Sequence, residues 1–172
     1  KAGNVDEAKL TRGRALAQLG RWWEARKAWL EVPKAEALWE IAQIEPGHRG
    51  LAALRDLVAK YPTAEIAPQA AMNLADRLSA YEDLRPEALA AYLDVAKRFP
   101  KDERASNAAI RACELKAADD RHHEAISMYE TYLKDYPDNP RWGEVRQRIP
   151  YLLHLKGHRA FLRKDFANAR RF

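Results

Sequence analysis

The stretch PEALAAYLDVAKRFP, residues 86–100, returns without a gap 37 residues later as HEAISMYETYLKDYP, residues 123–137. Ala88 falls on Ala125, Tyr92 on Tyr129, and Phe99-Pro100 on Tyr136-Pro137. A third copy, HRGLAALRDLVAKYP at 48–62, lies 38 residues earlier and carries Gly50 at the small position. The segments that follow each aromatic–proline pair also correspond, with Ala67, Ala70 and Ala71 falling on Ala105, Ala108 and Ala109. One such unit, made of two helical patterns, cannot bury its apolar face alone, so successive copies must stack. The expected fold is all-α, a solenoid of about five helical hairpins.

The composition agrees with helices. Alanine, leucine, arginine, glutamate and lysine dominate and only seven glycines occur, and such residues lose little side-chain entropy in a helix. The chain has 172 residues, of which 47% are hydrophobic and 32% charged, enough to bury a core and consistent with one domain over 1–172. No run of about 18 apolar residues occurs, so no membrane-spanning helix is expected. The single cysteine, Cys113, excludes an internal disulfide and a cysteine-based zinc site. The chain opens at Lys1 without a charged-then-apolar leader, which reads as a mature or excised piece.

Charge is unevenly spread. Residues 141–172 hold nine Lys/Arg against two acids, whereas residues 1–140 hold 21 against 23. This basic end, with Arg146, Arg148, Lys156, Arg159, Arg163, Arg170 and Arg171, would suit an acidic partner or nucleic acid, or serve as a solvated face.

The repeat register decides what the histidine pair His122-His123 means. His123 falls on Pro86 and His122 on Arg85, and proline is well tolerated in the first turn of a helix. The pair is therefore expected to be solvent-exposed at a helix start, with no metal, since no further ligand stands at a fixed spacing.

Small residues recur twelve apart. Gly13 precedes Ala25 by twelve, with Trp29 four further on; Gly157 precedes Ala169, and Cys113 precedes Ala125, by the same step. Ala75 precedes Ala88 with one extra loop residue. Small residues let the two helices of a unit approach closely while Trp29, Tyr92 and Tyr129 fill the adjoining volume. Cys113 is accordingly a packed small residue rather than a reactive thiol. The proline after each second helix ends it.

This pattern resembles the tetratricopeptide repeat (TPR) family, whose motif places a glycine or alanine, a second alanine and an aromatic at these spacings and then a proline. The first unit, LTRGRALAQLGRWWEARKAW, carries it best, although Lys9 and Arg12 stand where the family has tryptophan and leucine. EPGH at 45–48 interrupts the second unit. The resemblance implies a right-handed α-α superhelix, with hairpins at about 5–32, 34–60, 64–98, 103–135 and 140–172. Pro150 is expected to bend or restart the last hairpin's first helix. Leu162, Phe166 and Phe172 would lack a covering neighbour, which implies a longer parent chain. The longer units closed by Tyr-Pro or Phe-Pro look similar to a bacterial subgroup that includes the Tol–Pal coordinating protein and the lipoprotein of the outer-membrane assembly machine. That likeness implies the bacterial periplasm or cell envelope.

No catalytic signature stands out: no glycine-rich phosphate loop, no Gly-x-Ser-x-Gly elbow, and no base near Ser79, Ser106 or Ser127. The acid pairs Glu82-Asp83 and Asp119-Asp120 lie at interhelical turns, where carboxylates favour helix starts. In HLKGH at 154–158 the two histidines share a helix face, but Leu155 stands where a zinc protease has glutamate. Neither an enzyme nor a cofactor nor a metal site is expected.

The resemblance implies instead a concave groove lined by first-helix residues. Taking Gly157 as the motif glycine, these fall on Tyr151, His154, His158, Phe161 and Leu162 of the last unit and on Leu10, Arg14 and Gln18 of the first. The middle units contribute Gln69, Met72, Asp76 and Ser79, then Asn107, Ile110 and Glu114. Leu10 and Arg14 replace the lysine and asparagine with which chaperone-binding members clamp a carboxylate, which argues against that partner. Trp22 and Trp23 add aromatic surface near the first turn, with Trp23 a candidate interaction residue.

Three functions compete. The first is a protein-interaction scaffold that holds a peptide or protein segment in the groove. The second is the superhelical architectural part of a larger enzyme such as a lytic transglycosylase. The third, and weakest, is nucleic-acid binding through the basic end, for which affinity must fall steeply with salt.

Overall fold

The computed structural model describes residues 2–162, and side chains over 4–158. Those residues form helices and no strands. They divide into two compact units, with the boundary between Leu84 and Arg85.

The first unit begins with α1 (Ala2–Gln18) and α2 (Trp22–Leu30), which pack as a hairpin. The Trp29 side chain is 1% exposed, and its indole Nε1 donates to the Leu10 carbonyl at 3.2 Å. Opposite it, Gly13 leaves the space that the indole fills. The next hairpin pairs α3 (Ala35–Ile44) with α4 (Gly47–Lys60), and α5 (Ala67–Ser79) packs on α4. Leu51, Leu54, Leu57 and Leu78 are fully buried there, beside Ala67, Ala70, Ala71 and Ala75. Gly50 again permits a close approach, since a Cβ would meet the Glu45 carbonyl and the Arg77 guanidinium. Arg77 Nη1 in turn donates to the Ala42 carbonyl at 2.7 Å, tying α5 to α3. A 3₁₀ turn at Glu82–Leu84 ends the unit.

The second unit holds α6 (Arg85–Arg98), α7 (Glu103–Ala118), α8 (His122–Asp135) and α9 (Trp142–Leu162), each packed on its chain neighbour. Its core joins Ile110, Cys113, Ala125, Tyr129, Tyr132, Val145 and Leu152. Burial drives the Cys113 thiol up to about 12, with the Glu114 carboxylate adding to the shift. The thiol therefore stays protonated and is a packing group. Asp102 caps α7 by accepting from the Arg104 amide at 2.8 Å. Asn139 locks the α8–α9 turn: its Oδ1 accepts from the Arg141 amide at 2.9 Å and its Nδ2 donates to Ser106 Oγ at 3.0 Å.

Three expectations need correction. Helix α9 runs on through Pro150, so of the two expected outcomes, a bend or a restart, the restart is excluded; the proline removes the amide that would pair with the Arg146 carbonyl, and the helix tolerates that loss. Asp119 does not start a helix. It caps the C-terminus of α7, where the dipole disfavours a carboxylate, and is held by Arg85 at 3.2 Å. His122 is buried, at 6% exposed, while only His123 faces solvent. The register that matched His122 to Arg85 did not reveal its burial against α7 and α9. The expected second helix of the last hairpin falls outside the described residues. No described helix is long and apolar enough to cross a membrane.

Candidate functional site

The groove residues divide between the two units. In the first, Arg14 and Gln18 are exposed on α1, and Arg14 Nε pairs with Glu40 on α3 at 2.6 Å. On α5, Gln69 and Asp76 are exposed and Met72 is half-buried. Leu10 and Ile110, also mapped to the groove, lie in the core at 2% and 1% exposed. Both sit on the small-residue faces of their helices, and burial of a leucine or isoleucine there stabilises the fold by about 1.5–3 kcal/mol.

In the second unit, Asn107 is exposed on α7 and Glu114 half-buried, while Tyr151, His154 and His158 project from α9 into solvent. The two histidines stack with ring centroids 6.5 Å apart. Among the described residues, no cluster of three or more His, Cys, Asp or Glu could hold a metal. The Phe161 side chain lies outside the described residues, as do those of Leu162 and Arg159.

Glu114 and Tyr151 meet in one cleft of about 360 Å³ between α7, α8 and α9. Asp120, His122, Tyr129, Arg148 and Leu155 also line it. Register builds it: Arg148, Tyr151, Leu152 and Leu155 follow a three-and-four spacing that keeps them on one side of α9. Tyr129 is held by the core, and burial, helped by Cys113 and Glu114, pushes its phenol up to about 12 despite the nearby Arg148 and Arg141. It is neutral at physiological pH. Arg148 pairs with Glu144 at 3.3 Å, and Glu114 pairs with Arg111 at 3.3 Å. His122 Nε2 lies 3.7 Å from Asp120. The cleft thus offers two acids, a guanidinium, an imidazole, two phenols and an apolar strip, a set suited to holding a polar segment with an embedded apolar side chain.

Sequence reasoning missed the cleft role of His122 and Tyr129. The available signal was the hundred-residue offset between the first and fourth units, which places His122 on Trp22. Trp22 and Trp23 are 56% and 71% exposed, and both line a cleft of about 450 Å³ with Arg26 and Glu45. Arg26 sits over the Trp23 ring at 5.8 Å and pairs with Glu45 at 2.9 Å. Of the basic end, Arg146 lies over Trp142 at 5.5 Å and Arg148 is the cleft guanidinium; Arg163, Arg170 and Arg171 fall outside the described residues.

No family model matches the chain, and no curated protein does. Solved structures do. MamA of AMB-1 matches with a TM-score of 0.60 at 18% identity, covering 97% of this chain and 91% of that one. MamA of MSR-1 matches with a TM-score of 0.56 at 19% identity, covering 96% and 95%. At such identities the likeness shows the fold alone, and that fold is all-α and of the TPR type.

Proposed function

We propose that the chain is a non-catalytic interaction module that holds a peptide or protein segment in the cleft between α7, α8 and α9. The observation that carries this reading is the meeting of Glu114 and Tyr151 in one cleft with Arg148. Tyr151 is 59% exposed, and an exposed tyrosine beside an apolar strip and charges of both signs is the usual make-up of an interaction hot spot. Asn107, His154 and His158 extend the polar surface along α7 and α9, and Phe161 belongs to the same proposed site. Arg14, Gln18, Gln69 and Asp76 offer the first unit its own exposed polar surface, with Met72 half-buried on α5. A place in the bacterial periplasm or cell envelope, near the Tol–Pal type of TPR protein, is part of the proposal and rests on the Tyr-Pro and Phe-Pro closures.

Affinity capture from cell extract tests it. The native chain is compared with Glu114→Arg and Tyr151→Ala, both at positions outside the core. Loss of a specific partner by about tenfold or more in both variants supports the reading. A partner that both variants retain in full overturns it.

A further inference from the structure

A second groove, of about 330 Å³, opens between α6, α7 and α8 of the second unit. Its walls are Leu93 and Lys97 from α6 and Met128, Tyr132 and Tyr136 from α8, with Cys113 of α7 behind them. It shares no residue with the Glu114–Tyr151 cleft.

Two observations point to an occupant. The first is shape. Leu93 and Lys97 stand four apart, as do Met128, Tyr132 and Tyr136, so each wall is an i,i+4 ridge of the kind into whose groove another helix packs. Leu93 is 45% exposed, a large apolar side chain left open beside a thioether, and methionine adapts to varied apolar anchors. The second is charge. Lys97 on one wall and Asp135 on the other line the groove and make no ion pair among the described residues.

We propose that this groove docks an amphipathic helical segment of a partner protein. One large apolar side chain sits between Leu93, Met128 and Tyr136, an acid faces Lys97, and a base faces Asp135. A free cation on one wall and a free anion on the other orient such a helix, because the reversed direction sets like charges together. The volume stands at the lower end of ligand pockets, which suits one anchor side chain with flanking contacts at the rim.

The test selects displayed peptides of about 15 residues, four helical turns, against the intact chain. Affinities for native protein and variants are then read by fluorescence anisotropy. Selected peptides should carry an apolar anchor flanked by an acid and a base, and Leu93→Arg should weaken them at least about tenfold. The double reversal Lys97→Glu/Asp135→Lys should lose the same peptides and regain them when their acid and base are exchanged. Tyr151→Ala should leave them unchanged. Thr131→Arg, at an exposed position in the same groove, repeats the blockade should Leu93→Arg fail to fold. Peptides that ignore both blocking variants, peptides lost in Tyr151→Ala instead, or a selection without enrichment would each overturn the proposal.

Discussion

The Trp29 indole occupies the space that a side chain on Gly13 would need: a Cβ there would lie 2.6 Å from its Cδ1. This contact joins α1 to α2 and explains the glycine, the alanine twelve on and the aromatic four further as a single packing device. Gly13→Ala should therefore destabilise the chain. Overpacking costs about 1–3 kcal/mol and outweighs the roughly 1 kcal/mol that alanine gains over glycine in a helix. Urea denaturation measures it, and a Gly13→Ala chain as stable as the native would contradict the packing account.

The turns after α1 and α7 are built alike. Gly20 and Asp120 both take the left-handed conformation, at φ 74° and 62°. The next residues, Arg21 and Arg121, each pair with a glutamate three further on, Glu24 and Glu124. Asp120 is the one non-glycine residue at positive φ among those described. Asp120→Gly should stabilise by about 0.5–1 kcal/mol, and Gly20→Ala should cost about 1 kcal/mol or more. Melting temperatures of the two variants should move in opposite directions; a shift of the same sign in both would count against a shared turn.

Asp102 accepts the Arg104 amide hydrogen bond at the start of α7. Asp102→Ala should cost about 1 kcal/mol and Asp102→Asn or Asp102→Ser much less, because the cap needs an oxygen acceptor rather than a charge. Equal losses in all three variants would assign the effect to the ion pair with Arg104 instead.

Cys113 and Tyr129 set an alkaline limit. Their ordinary values are 9.0 and 10.0, and burial raises both to about 12 in the folded chain. The unfolded chain therefore loses these protons first. The associated stability is complete below pH 9 and is lost as pH rises towards 12. Unfolding free energy should fall across that window, and Cys113→Ala should make the fall shallower. Below pH 9 a thiol-alkylating reagent should label Cys113 only on unfolding; rapid labelling of the native chain would contradict the burial.

The helical content was legible because small residues and aromatics recur at fixed steps, and Trp29, Ala25, Tyr92, Tyr129 and Cys113 are buried where that spacing puts them. The path of α9 through Pro150 was not, since local rules weigh the lost amide bond and not the tertiary packing of Val145 and Leu152 on either side. The burial of His122 was hidden for a related reason. Aligned with Arg85 it reads as surface, and aligned with Trp22 as aromatic, yet Trp22 itself is exposed. The clefts of the second unit depend on gaps between three helices, and a linear pattern records which face a residue takes but not how far apart two helices stand. Leu10 and Ile110 show the same limit, since adjacent helix positions separate core from groove by less than a third of a turn.

The most direct measurement is to titrate the captured partner segment into the isotope-labelled chain and map the amide and side-chain shifts by NMR. The account predicts changes centred on Glu114, Arg148 and Tyr151, with His122 perturbed at the cleft wall and Trp22 and Trp23 untouched. Changes confined to Trp22 and Trp23, or to residues outside the cleft between α7, α8 and α9, would contradict it.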